Sequence, residues 1–371
     1  MTPAPTDAEK IADWASASDL IDGVVFVPFD SESPESPVCA VAQARGFQGY
    51  GKGTSQSEAL ISAVGEAVER WAAAQVDRAR IVYAPFAELD AAFDPRWLCL
   101  YGPEQYGLAG FPYKTFDEHR PLQWIEGTWL DTGQPVYLPA FATYLAREFA
   151  PQALCQMSSN GLAAGSSVND AAERAALELY ERDAFMTSWI ALAGAELIEA
   201  SDRREIYLLD AASPLFVAAC VGLGEGITLG LGAARIREEA IEKAVLEHGQ
   251  TASYLMKRWK EKPVSQILTL EDSALYYCDP AHRAEFEPWR RCNAPLERTR
   301  SDGNAPSAQP RIAIADLTPP ELESSPFRAV RALGHGLQPI EYGAAFRRLP
   351  TPRLAALLKD RTPNPAPAPI C

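Results

Sequence analysis

The sequence has no run of twenty uninterrupted apolar residues, so nothing in it is long enough to span a bilayer as a helix. Its N-terminus, MTPAPTDAEK, lacks a basic segment followed by an apolar core, and no secretory signal is visible. No C-x-x-C pair occurs among seven scattered cysteines; their odd number argues against a disulfide framework. The four histidines are isolated at 119, 248, 282 and 335 with no H-E-x-x-H, so a His/Cys zinc site has little support. Neither a Walker A loop nor a G-x-G-x-x-G is present, and a bound nucleotide would need another device. Positive charge is also scarce. Lys+Arg 34 against Asp+Glu 49 leaves −15, which repels phosphate backbones and anionic lipid and argues against a nucleic-acid or membrane role. A cytoplasmic protein is expected.

What is present is ordinary globular material: 371 residues, 47% apolar and 22% charged, enough for one large core or two modest ones. We read the whole chain, 1–371, as a single domain with a lead-in over 1–40, a mobile loop over 293–310 and a Pro-rich tail over 362–371. GVVFVPF reads as a strand, and GFQGYGKG (46–53) as a glycine-rich strand or turn leading to a helix over about 55–76. Short strands follow at 80–83, 122–130 and 135–137. A second glycine-rich turn, SSNGLAAGSS, precedes a helix over about 169–192. EIYLLD and ITLGLGAA read as two strands before a third helix over about 237–259. IAIADL and LQPIEY look like late strands. Strands interleaved with three long helices imply an α/β (α+β) fold with a mixed sheet. EAVER at 66–70 is echoed by ELYER at 178–182, although so short an echo is weak evidence of duplication.

On a helix, positions i, i+4 and i+7 fall within roughly 60° of one another. Ser62, Glu66 and Glu69 share such a stripe on the first helix, Arg174, Glu178 and Glu181 on the second, and Lys243, Glu247 and Gln250 on the third. Around the first stripe the helix is almost wholly apolar, so the thin acidic strip is expected to face an internal cleft rather than solvent. Unpartnered buried carboxylates cost several kcal/mol. Arg70 and Arg182 could serve as structural counterions. Few other cations lie near Glu66, Glu69, Glu178, Glu181 and Glu247 in sequence, and hard divalent ions shared with phosphates would also satisfy them. Glycine-rich turns at helix N-termini would add N–H donors for an anion. A metal–triphosphate site made from helices follows.

GKGTSQSEALISAVGEAVERW, SSNGLAAGSSVNDAAERAALELYERDAF and GLGAARIREEAIEKAVLEHGQ resemble, in order, the three signature blocks of the YcaO family, and the resemblance covers roughly residues 45–371. It implies ATP and Mg²⁺ held between such helices, and activation of a peptide backbone amide. Carried over, Ser62, Glu66, Glu69 and Arg70 form the first block of the site, and Glu178, Glu181 and Arg182 the second. Lys243 stands four residues before the metal-binding Glu247, where the family usually has arginine; lysine lacks the bidentate fork. Ser166 and Asp170 replace the family's usual Asn and Glu, and Asp170 is a metal-ligand candidate with shorter reach. Lys52 and Gln250 complete the nucleotide set, with Lys52 placed to touch a phosphate.

The tail carries Pro363, Pro365, Pro367 and Pro369. It is similar to the P-x-P-x-P end of azoline-forming members, in which the terminal carboxylate enters the active site as a base. Here that carboxylate belongs to Cys371, two residues beyond the last proline. The implied activity is an ATP-dependent cyclodehydratase making thiazolines or oxazolines from Cys, Ser or Thr of a ribosomal precursor peptide. Thioamide formation, amidine formation and a non-catalytic scaffold remain alternatives. The resemblance also implies a separate leader-binding partner, of ThiF-like or C-protein type, because the stretch before the first block is too short for such a domain. A flavin-dependent azoline dehydrogenase and a homodimer are further expectations.

Overall fold

The computed structural model describes residues 7–27, 37–213, 215–292, 310–343, 346–359 and 361–370. Most of the expected loop, 293–309, lies outside the described residues, as do 1–6 and 28–36 of the lead-in and the terminal Cys371. The fold is mixed α/β, as expected, but its strands fall into three sheets built on antiparallel pairs where one mixed sheet was read. Its contacts divide the chain into two compact units: Met1–Leu98, Tyr113–Ala176 and Arg311–Gly334 in the first, and Cys99–Pro112, Leu177–Pro310 and His335–Cys371 in the second.

The first unit begins with α1 (Asp7–Ala17) and a three-stranded antiparallel sheet, β1 (Ile21–Val27), β2 (Val38–Ala44) and β3 (Phe47–Gly53). β3 runs into α2 (Gln56–Ala72). β4 (Ile81–Ala84), one-turn α3 (Pro103–Tyr106, in the second unit), β5 (Leu122–Trp129), β6 (Pro135–Pro139), one-turn α4 (Ala140–Thr143) and β7 (Leu162–Gly165) follow. With β12 (Arg311–Asp316) and β13 (Arg328–His335), these strands make a six-stranded sheet ordered β4-β5-β12-β13-β7, with β6 on β5. One core joins the inward alanines of β2 to Ala59, Ala63, Val64, Ala67, Val68 and Trp71 of α2, and continues to Phe327 and Ala329. α2 is thus packed on two sides, which is why so little of its circumference is polar.

α5 (Val168–Ala191) begins in the first unit and ends in the second. The second unit is built on β8 (Ala195–Ala200), β9 (Arg204–Leu209), β10 (Phe216–Leu223) and β11 (Ile227–Ala234), ordered β11-β10-β9-β8 and antiparallel. α6 (Arg237–Glu261) covers one face through Ala240 and Ala244. The other face is covered by the end of α5, α7 (Leu270–Cys278), α8 (Arg283–Arg291), α9 (Pro352–Leu358) and the tail.

The three long helices lie where expected to within about four residues at each end. Two readings need correction. Between EIYLLD and ITLGLGAA stands a further strand, β10, whose residues FVAACVGL are buried on both faces and so show no alternation. LQPIEY, expected as a late strand, is not one; the strand is the preceding RAVRALGH. The burial in 337–342 comes from side-chain and loop bonds: the Gln338 N–H donates to Asp183 Oδ1 at 2.7 Å, and its Oε1 accepts from the Thr351 N–H at 3.0 Å. Among the described residues no helix is long and apolar enough to cross a membrane.

Candidate functional site

Two of the three acidic helices are launched the same way. At α2 the Ser55 hydroxyl accepts the Glu58 N–H at 3.2 Å, while Glu58 accepts the Thr54 N–H at 2.7 Å. At α5 the Ser167 hydroxyl accepts the Asp170 N–H at 3.1 Å, while Asp170 Oδ2 accepts the Ser166 N–H at 2.8 Å and hydroxyl at 3.1 Å. These are reciprocal caps that satisfy helix-end donors. At α6 the cap position is Ile236, which offers no side-chain bond. Seven, eleven and fourteen residues past the cap stand Ser62, Glu66 and Glu69; then Arg174, Glu178 and Glu181; then Lys243, Glu247 and Gln250.

The glycines before these helices share that register. A Cβ on Gly51 would lie 2.0 Å from Ala59 O and 2.3 Å from Ala63 N; one on Gly232 would lie 2.3 Å from Ala240 O and 2.6 Å from Ala244 N. A Cβ on Gly49 would meet Ala67 N at 2.2 Å, and one on Gly230 would meet His248 N at 2.2 Å. On Gly165 it would meet Ala171 N at 2.5 Å, as Gly53 faces Ala59 N at 2.9 Å. The expectation that these glycines make anion-binding turns is therefore corrected: most lie in strands and let a helix backbone settle on them. The EAVER/ELYER echo has a three-fold structural counterpart.

The glutamates of the three strips are half-buried. Glu66 accepts the Tyr50 N–H at 2.6 Å and is ion-paired with Arg70, which also donates to Gln48 O at 3.3 Å. The buried Arg70 Nε finds no hydrogen-bond partner among the described residues. Arg182 Nε lies 3.8 Å from Glu178 and 3.9 Å from Glu181, with both Arg182 and Glu181 side chains only 12% exposed. The counterion role for both arginines is therefore present in the geometry. Burial acts to raise the Asp170 carboxyl, but the Ser166 N–H and Arg174 outweigh it and hold it below the usual range. Arg174 Nε donates to its Oδ1 at 2.9 Å. Ser166 and Asp170, expected at nucleotide and metal, are thus occupied with capping and with each other. Lys243, exposed on α6, donates to Ala233 O at 3.1 Å. Lys52 is half-buried in β3 opposite Cys39.

Among the described residues no group of three or more His, Cys, Asp or Glu side chains is placed to hold a metal ion. Mg²⁺ does not require one, since it keeps several waters and takes one or two carboxylates together with substrate phosphates. Half-buried carboxylates three residues apart on one helix face, beside an arginine with a spare buried donor, fit that demand. Pro365, Pro367 and Pro369 are placed with the tail, 361–370, which enters the core of the second unit. Two features escaped the sequence reading, the caps at Thr54–Glu58 and the tail anchors. The first had a signal, a hydroxyl followed three residues later by an acid; the second had none.

A strand-and-helix repeat carrying acidic stripes in one register, with no phosphate-binding loop in the sequence, defines a class of protein that presents carboxylates and arginines from helices. The profile of the YcaO cyclodehydratases, described as ATP- and Mg²⁺-binding, matches residues 50–337, well over half of the chain. The chain belongs to that family. No curated protein matches the sequence. Among solved structures, the fold is similar to a heterocyclase in complex with substrate and cofactor (TM-score 0.72, 18% identity, 99% of this chain and 57% of that one). It is similar to YcaO from Methanopyrus kandleri bound with AMPPCP and Mg²⁺ (TM-score 0.64, 20% identity, 89% and 91%). The E. coli microcin synthetase McbBCD complex also matches (TM-score 0.59, 12% identity, 84% and 86%). This chain spans little more than half the length of the first of these.

Proposed function

We propose that the chain is an ATP-dependent peptide cyclodehydratase that forms thiazoline or oxazoline from Cys, Ser or Thr of a ribosomal precursor peptide. The observation that carries this is the shared register of Ser62-Glu66-Glu69, Arg174-Glu178-Glu181 and Lys243-Glu247-Gln250 on glycine-seated helices within the family match. In this reading Glu66, Glu69, Glu178, Glu181 and Glu247 are the metal ligands, and Ser62, Arg70, Arg182, Gln250, Lys243 and Lys52 serve the nucleotide. Bound Mg²⁺ would neutralise charge on the transferring phosphoryl group. The substrate side chain attacks the preceding carbonyl carbon. The carbonyl oxygen takes the γ-phosphoryl of ATP, releasing ADP, and departs as phosphate while the amide nitrogen gives up its proton, leaving the C=N bond of the ring. Arg70 and Arg182, ion-paired with these glutamates, keep positive charge beside the carboxylates where the phosphates would sit. The Cys371 carboxylate, outside the described residues, is the proposed general base.

A leader-binding partner of ThiF-like or C-protein type delivers the peptide in this reading, by analogy with the multi-protein microcin synthetase, one structure of which has pro-MccB17 bound. A flavin-dependent dehydrogenase acting afterwards and a homodimer are further parts of the proposal. The test is mass spectrometry of a Cys/Ser/Thr-rich precursor incubated with the protein, its partner and Mg·ATP. Loss of about 18 Da per modified residue, one water, is expected of the condensation. A gain of about 16 Da would instead reveal O-to-S exchange, and no mass change with an intact partner would overturn the reading.

A further inference from the structure

The proline tail is held by more than apolar packing. Prolines at alternate positions remove every second N–H, so the tail cannot gain its register from a full strand ladder. Its polar groups instead meet particular donors and acceptors. Asn364, 3% exposed, donates its N–H to Ile190 O at 2.9 Å and its Nδ2 to Trp189 O at 3.2 Å, and its Oδ1 accepts the Ala366 N–H at 3.2 Å. Those two acceptors are carbonyls of the last turn of α5, which the helix itself leaves without partners. The Trp189 indole donates to Ala366 O at 3.2 Å, and the Tyr277 hydroxyl donates to Pro367 O at 2.7 Å. Arg347, paired with buried Glu341, donates to Asn364 O at 3.0 Å. Beyond these anchors Ala368 and Ile370 are buried in the same core.

Trp189 and Tyr277 are both buried and aromatic, each offering a single donor from an otherwise apolar body. A core that needed only volume at these positions would be served as well by phenylalanine. Both donors point at successive carbonyls of the tail, which fixes its sliding position and not merely its presence. α5 also carries Glu178 and Glu181, about three and two turns before the clamp.

We propose that Tyr277, Trp189 and Asn364 are positioning residues: a latch at the end of α5 that sets the register of the tail, and with it the reach of whatever follows Ile370. This rests on the cyclodehydratase reading. A slip of one carbonyl along the latch would shift the segment beyond buried Ile370 by about 3 Å, enough to remove a base carried there from hydrogen-bond distance.

The test compares Tyr277→Phe, which removes one hydroxyl without changing core shape, and Asn364→Ala with the wild type in the same precursor, partner and Mg·ATP mixture. Amide hydrogen exchange of the 361–371 peptide is measured in parallel. Expected are tail amides exchanging at least tenfold faster, and dehydration kcat at least tenfold lower with the KM for ATP unchanged. Unchanged exchange in both variants overturns the latch. Faster exchange with wild-type kcat overturns its positioning role. A wild-type protein that gives no dehydrated product overturns the cyclodehydratase reading instead, and exchange still reports whether the tail is held by these bonds.

Discussion

Replacing Gly51 by alanine puts the strand–helix register to its sharpest test. The new methyl would stand 2.0 Å from Ala59 O, 2.3 Å from Ala63 N and 2.8 Å from Ala63 Cα. All three are backbone atoms of α2, so no rotamer change relieves the contact. An ordinary van der Waals separation is about 3.5 Å, and the helix must retreat by more than 1 Å or the strand must bend. Overpacking a core costs typically 1–3 kcal/mol; with rigid backbone on the far side, about 3 kcal/mol is expected. That is about a 150-fold loss in the folded-to-unfolded ratio. Gly23 is the internal control. It lies in β1, has an ordinary φ and has nothing within 4 Å of a Cβ, so Gly23→Ala is neutral or stabilises by up to about 1 kcal/mol through the unfolded chain. Gly232→Ala, the counterpart in the third repeat with contacts of 2.3 and 2.6 Å, should resemble Gly51→Ala. Denaturant unfolding reads all three. If Gly51→Ala unfolds within about 0.5 kcal/mol of the wild type, the glycines are not there for close approach and the repeat has no packing basis.

Glu181→Gln and Glu66→Gln are expected to lower Mg·ATP turnover by about 100-fold or more with the circular dichroism spectrum unchanged; wild-type turnover in either would remove that carboxylate from the site. Arg353→Met leaves Asp183, 0% exposed, without the arginine that pairs with it, and the cost should be about 3–5 kcal/mol by denaturant unfolding. Glu205 is held below its ordinary 4.5 by hydrogen bonds from Arg290 at 2.8 and 2.5 Å, against the opposing effect of burial. Its folded pKa is depressed, so its contribution is fully present above 4.5 and is lost as pH falls through the lower folded value. Below pH 4.5, stability of Glu205→Gln should therefore fall less steeply than that of the wild type; parallel curves would refute the assignment.

The long helices and their acidic stripes were legible because the 3.6-residue period holds over 17 to 25 residues in each. The apolar residues around Glu66 and Glu69 were read as placing the strip on an internal cleft, and the structure shows these glutamates half-buried. Strands covered on both faces were not legible by the same rule. FVAACVGL packs on α6 through Ala218 and Cys220, and on the α5 side through Val217, Ala219 and Val221. It therefore has no polar face to mark its period. LQPIEY failed for the opposite reason: Gln338 and Glu341 are buried polar side chains bonded into loops, which mimic the alternation of a half-buried strand. The tail anchors Trp189 and Tyr277 lie 177 and 90 residues from the carbonyls they bind, and no local pattern announces them.

The common register also explains how three helices of one design can do unlike things. Backbone position is fixed by strand glycines against helix alanines, so the seventh, eleventh and fourteenth positions after each cap are geometrically equivalent within their own repeats. Only side chains distinguish them. The first two repeats carry Glu and Glu followed by Arg, while the third has Glu247, then Gln250 and Thr251. An amide at the third repeat's fourteenth position removes one negative charge. Thr251, at the position of the arginine, turns its hydroxyl back to Glu247 O at 2.9 Å and to Leu229 O at 3.3 Å. The charge pattern is thus graded over a constant backbone: two acids followed by an arginine, twice, and then an acid followed by an amide and a threonine. Exchanging Gln250 for Glu would add a half-buried carboxylate with no arginine beside it in its own repeat, and the cost of that exchange would measure how far the equivalence is one of backbone only.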